Sequence, residues 1–144
     1  MYRLRGWRGQ IGEGRDVAMK LTVDFDHPYF EEKEILSIMP RDLDDYYAEA
    51  GEIDQLNLYF VLEASLYRLQ KRKRSVAAAH CAFLLAYYVF VALTPPAAEE
   101  LANAYIDKAL AWNETQEYQA WKTWMEQGQP LCSSKDEPSG DTTR

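Results

Sequence analysis

A chain of 144 residues with 23 acidic and 16 basic side chains, a net charge of −7, 47% hydrophobic and 13% aromatic residues has the size and apolar content of one folded domain. Ten Tyr and four Trp exclude a wholly disordered chain, and a pI of about 4.8 argues against nucleic-acid binding through a general basic surface. The two cysteines, Cys81 and Cys132, fit neither a zinc spacing nor a disulfide framework, so both are expected as free thiols in a reducing compartment.

Residues 1–19 carry Arg3, Arg5, Arg8 and Arg15 among Gly6, Gly9, Gly12 and Gly14, which no helix tolerates well. They are expected to form a flexible basic arm or a non-native start, and they lack the apolar run of a signal peptide, which points to the cytoplasm. Residues 20–25, KLTVDF, alternate loosely and predict one short strand or an extended lead-in. From His27-Pro28 a helix is expected, with Glu31, Glu32 and Glu34 suiting its positive end and Phe30, Ile35, Leu36 and Ile38 its apolar stripe, closed by Pro40. Asp42 is placed as the cap of a second short helix with Leu43, Tyr46, Tyr47 and Ala50 inward and Gly51 as its stop.

Neither Gly nor Pro occurs between Gly51 and Pro95. Asp54 is the expected cap of a long helix whose stripe runs Leu56, Tyr59, Phe60, Leu62, Glu63, Ser65, Leu66 and Leu69, ending in the cations Lys71, Arg72, Lys73 and Arg74. The next eighteen residues, 76–93, carry no charge and are closed by Pro95-Pro96. The change from one-sided to all-round apolarity at Ser75 predicts a turn there rather than one continuous helix. Such a segment has to be buried in a protein core or in a bilayer. Its six Ala and two Tyr favour a buried central helix, while its length and cationic flank keep a single membrane span open. After Pro96 a helix over 97–113 and a shorter one over 117–127 are predicted, the first with Leu101, Ala102, Tyr105, Ile106, Ala109, Leu110 and Trp112 inward, the second with Tyr118, Trp121, Trp124 and Met125. Gly128 and Pro130 end the domain, placed at 20–129, and 130–144 is expected as a disordered tail.

Chemistry-bearing motifs are few. Asp24, Asp26, His27 and Glu31 match no metal-ligand spacing, and no phosphate-cradling Gly-rich loop or nucleophile elbow is present. His80 and Cys81 are adjacent on a helix and point about 100° apart, which does not make a nucleophile and its base. No catalytic, metal or cofactor site is expected, and the chain is not expected to be an enzyme. Charge, by contrast, is strongly segregated: eleven acids against two bases between Asp24 and Asp54, and five bases against one acid between Val61 and Arg74. The two blocks can neutralise each other, or the acidic one can receive a basic partner.

Residues 102–113, ANAYIDKALAWN, followed by Glu117-Tyr118-Gln119-Ala120-Trp121, resemble the second helix of a tetratricopeptide repeat and the opening of the next. Phe90 stands where that repeat wants a small residue and Glu114 where it wants Pro, and helix starts at Asp54, Ser75, Pro96 and Thr115 give a pair longer than the usual repeat. The resemblance implies an all-α array of helical hairpins that receives a peptide or amphipathic helix of another protein, and the acidic block adds a basic segment as the expected partner. A small, acidic, helical chain is also similar in character to secretion chaperones and to immunity proteins. The expected function is therefore a non-enzymatic chaperone or adaptor that shields a partner's apolar or basic segment. The alternatives are an inhibitor of a basic toxin or enzyme and a single-pass membrane protein spanning 76–93. Asp42, Asp44, Asp45, Tyr46, Tyr47 and Glu49 are the expected partner-binding residues.

Overall fold

The computed structural model describes residues 20–127, and the expected basic arm and C-terminal tail lie outside them. The fold is all-α: α1 (Glu32–Ser37), α2 (Pro40–Glu49), α3 (Glu52–Lys71), α4 (Ser75–Tyr87) with a π-helical continuation (Tyr88–Leu93), α5 (Ala98–Trp112) and α6 (Gln116–Glu126). Among the described residues there is no strand. Of the two forms expected for 20–25, a short strand or an extended lead-in, the chain adopts the lead-in: it buries Leu21 and then turns, with the Asp24 carbonyl accepting from the His27 N–H at 2.9 Å. One strand without a partner has nowhere to place its backbone bonds.

Helix boundaries depart from expectation at the starts. α1 begins at Glu32, not at His27, behind a reciprocal pair in which the Glu31 N–H donates to Glu34. Pro40 does not close the first helix but opens the second, where its missing N–H is one that no intrahelical partner would satisfy. Asp42 is consequently not the cap residue. It is the third helical residue, and its Oδ2 accepts the Met39 N–H at 2.8 Å. α3 likewise starts behind Gly51 rather than Asp54, and Ser75 is the first residue of α4 rather than its cap.

The turn between α3 and α4 is a Schellman closure. The Arg74 N–H donates to the Leu69 carbonyl and the Lys73 N–H to the Gln70 carbonyl, both at 3.0 Å, with Lys73 in the left-handed region at φ 58°. The registered contacts Cys81 Sγ to the Leu62 carbonyl at 3.3 Å and Tyr88 Oη to the Gln55 carbonyl at 2.7 Å show α3 and α4 running antiparallel. α6 runs parallel to α4, since His80 meets Tyr118, Phe83 meets Tyr118 and Trp121, and Phe90 meets Trp121 and Trp124.

α4 is the centre. Every residue from Ala77 to Ala92 except His80 is buried, and α1, α3 and α5 pack on it while α2 packs on its π-helical end. The apolar run is one helix of 19 residues from Ser75 to Leu93, long and apolar enough to cross a membrane, yet 83% of its most apolar window is enclosed by the other helices. Ala77, Ala78, Ala79, Ala82 and Ala86 let neighbouring backbones approach closely, while each of Phe83, Leu84 and Leu85 contributes about 1.5–3 kcal/mol by leaving water.

Candidate functional site

The six expected partner-binding residues lie on α2, and the fold divides them. Asp42 is 1% exposed and spends a carboxylate oxygen on the Met39 N–H. Asp44 accepts the Tyr87 O–H at 2.8 Å, tying α2 to the end of α4. Tyr47 stands edge-on to Tyr88 with ring centroids 6.3 Å apart, and Tyr46 donates to the Asp54 carbonyl at 3.3 Å. Burial, followed by the nearby Asp54 charge, raises the Tyr46 pKa and keeps the phenol protonated. Only Asp45 and Glu49 of the six are exposed, and Glu49 pairs loosely with Lys20 at 3.9 Å. Of the four acids of α2, Asp42 and Asp44 are thus engaged within the domain, and Asp45 and Glu49 face outward. Exposed acids gather around the α2–α3 junction, at Asp45, Glu49, Glu52 and Asp54.

The surface that sequence reading missed is on α3. Leu56 and Phe60, expected inward, face outward together with Ile53 and Tyr67, with exposures of 76% for Ile53, 51% for Leu56, 62% for Phe60 and 64% for Tyr67. The buried residues are Leu58, Val61, Leu62, Ser65, Leu66 and Leu69. At 100° per residue, Ile53, Leu56, Phe60, Ala64 and Tyr67 fall within an arc of about 80°, opposite Leu58, Leu62, Ser65 and Leu69. α3 therefore carries two apolar faces, and α4 covers one. The signal was present in the sequence, because Ile53, Leu56, Phe60 and Tyr67 recur at three, four and seven residues, the spacing by which one helix packs on another.

The covered face holds α3 rigidly. Ser65 Oγ, fully buried, donates to the Val61 carbonyl at 2.7 Å and accepts the Phe30 N–H at 2.7 Å, fixing the lead-in to α3. On one flank Tyr59 meets the Tyr105 hydroxyl at 2.7 Å and Tyr105 donates to Glu63, joining α3 to α5. Burial, then the Glu63 bond, drives the Tyr105 pKa upward, so the phenol acts as a donor and not as a proton source. On the other side Arg68 lies 3.8 Å over the Tyr29 ring. Arg74 pairs with Glu32 at 3.6 Å, a partial neutralisation of the basic block by the acidic one. Lys71 reaches over Tyr67 at 5.5 Å, so a cation bounds the outer face at its C-terminal end as the exposed Glu52 bounds it at the other.

Of the remaining chemistry-bearing side chains, His27 is exposed beside Asp24, His80 is part-buried and Cys81 is fully enclosed. His80 accepts from Tyr118 at Nδ1 over 3.2 Å and donates from Nε2 to the Ile38 carbonyl at 2.8 Å, a neutral tautomer with both nitrogens engaged. Burial holds its pKa down despite the Ile38 bond. Cys81 is fully buried, and that burial, with the Glu63 charge second, pushes its thiol pKa up and leaves it a poor nucleophile. Among the described residues, no three His, Cys, Asp or Glu side chains gather as metal ligands. Comparison with family models, with curated proteins and with solved structures finds no match to this chain.

Proposed function

We propose that the protein is a non-enzymatic protein-binding module of the adaptor or chaperone kind, working in the cytoplasm, whose docking surface is the outer face of α3. The single observation that carries this reading is the row Ile53, Leu56, Phe60 and Tyr67, large apolar side chains exposed at helix-packing spacing on a helix fixed from behind. A surface helix of a domain that works alone keeps that side polar. The parallel contact of α6 with α4 and the antiparallel α3–α4 pair also support the repeat-like reading, in which helices stack to present a surface to another helix.

The inhibitor reading, with Asp42, Asp44, Asp45, Tyr46, Tyr47 and Glu49 covering a basic site, has weaker support, because Asp42 and Asp44 are engaged within the domain. A membrane span over 76–93 has the required length, but it would have to strip α4 of the helices now packed around it.

Site-specific photo-crosslinking in cells tests the proposal. A photoreactive residue at Phe60 or Leu56 should give discrete protein adducts, while the same residue at the exposed Gln119 of α6 should not. Equal, diffuse labelling from all three positions would refute it.

A further inference from the structure

The outer face of α3 is charged asymmetrically, and the asymmetry is self-complementary. Seven residues, about 10 Å of helix, separate Phe60 from Ile53 on one side and from Tyr67 on the other. On α3 itself the exposed acid Glu52 lies directly before Ile53, and the exposed cation Lys71, whose ammonium reaches over the Tyr67 ring, lies one turn beyond Tyr67. A second α3 laid alongside in the same direction would set acid against acid and cation against cation. Laid in the opposite direction, it brings Phe60 near Phe60 of the other copy, Leu56 and Ile53 towards Tyr67, and each acidic end against a cationic end.

We propose that the outer face of α3 is the interface of a two-fold symmetric homodimer in which two α3 helices pack antiparallel about Phe60. This rests on the reading of that face as a protein-docking surface, and names its occupant as a second copy of the chain. A two-fold contact uses the same patch on both partners, so the patch must complement itself. An apolar row with opposite charges at its two ends does so. The apolar centre supplies the affinity, and the charged ends fix direction by penalising the parallel arrangement. The preserved backing matters as well: Ser65, Leu62 and Leu69 keep the opposite side of α3 in the domain core, so the helix is presented already ordered and association orders only exposed side chains.

The test is sedimentation velocity of the full chain over a concentration series extending into the upper micromolar range. The wild type is expected to approach twice its 16.7 kDa mass as concentration rises. Phe60→Glu, which sets two carboxylates together at the axis, should sediment as a monomer with an unchanged circular dichroism spectrum, and its melting temperature, unlike that of the wild type, should not rise with concentration. Glu52→Lys alone and Lys71→Glu alone should each weaken the dimer about tenfold or more. An equimolar mixture of these two variants should associate again, because each acidic or cationic end then meets its opposite in the other chain. A wild-type chain that stays monomeric throughout overturns the dimer, as does a dimer that Phe60→Glu leaves intact or a mixture that fails to restore association. A monomer that still gives Phe60-dependent adducts with a different protein would overturn the dimer alone and leave the docking surface standing. Loss of both would remove both.

Discussion

Acidification should weaken this fold through one side chain, His80. It joins three elements: Nε2 donates to the Ile38 carbonyl after α1, Nδ1 accepts from Tyr118 on α6, and the ring itself belongs to α4 beside Phe83. A second ring proton has to occupy the position where Tyr118 now donates, and the charge would sit in an enclosed site. Burial therefore lowers the folded-state pKa below 6.5. The unfolded chain binds the proton more readily, so the stability His80 lends is complete above about pH 6.5 and is lost progressively as pH falls towards the folded-state value. The slope cannot exceed about 1.4 kcal/mol per pH unit for one proton. In a domain of this size that is a fall in Tm of about 5–6 °C per unit. Thermal unfolding of the wild type and of His80→Gln should be followed from about pH 8 to about pH 5, the range that imidazole titration covers. Other groups titrate here too. Glu117, whose pKa burial raises, acts in the opposite direction, but it is common to both proteins and cancels in their difference. The difference should close with falling pH as the wild type loses its advantage. Parallel curves, or an imidazole that titrates at 6.5 or above by NMR, would refute the reasoning.

Three substitutions test the remaining structural claims. Ser65→Ala strands the buried Phe30 N–H and should cost about 1–3 kcal/mol in denaturant unfolding; a change below about 0.5 kcal/mol would mean the lead-in finds another acceptor. Tyr87→Phe removes the donor to Asp44 and should cost about 1.5–3 kcal/mol, whereas Asp45→Asn and Glu49→Gln should stay within about 0.5 kcal/mol of wild type. Equal effects at all of these positions would contradict the division of α2 into engaged and exposed acids. Lys73→Gly relieves a left-handed residue that costs about 1–2 kcal/mol, less the greater freedom of Gly in the unfolded chain, and should raise stability by about 0.5–1 kcal/mol. A lower Tm would show that the Lys73 side chain contributes more than its backbone geometry costs.

The sequence by itself determined the all-α class, the central place of 76–93 and the breaks that separate the helices. Those are local matters: all-round apolarity has to be buried, and Pro, charge runs and loss of periodicity stop helices wherever they occur. It also carried, unrecognised, the second apolar row on α3. Periodicity reveals that Ile53, Leu56, Phe60 and Tyr67 share a face just as it reveals Leu58, Leu62, Ser65 and Leu69, but it does not say which face meets a neighbour. Only the tertiary structure decided that, by turning α4 back antiparallel at Lys73 so that Cys81 meets Leu62 and Tyr88 meets Gln55. The same holds for the acids of α2. Asp42 and Asp44 are chemically the equals of Asp45 in the chain, and became structural because Pro40 starts the helix three residues after Ser37 and the π-helical end of α4 brings Tyr87 and Tyr88 to that side. A carboxylate's role depends on which donor comes within about 3 Å of it, and in this protein the decisive donor on Asp44 lies 43 residues away.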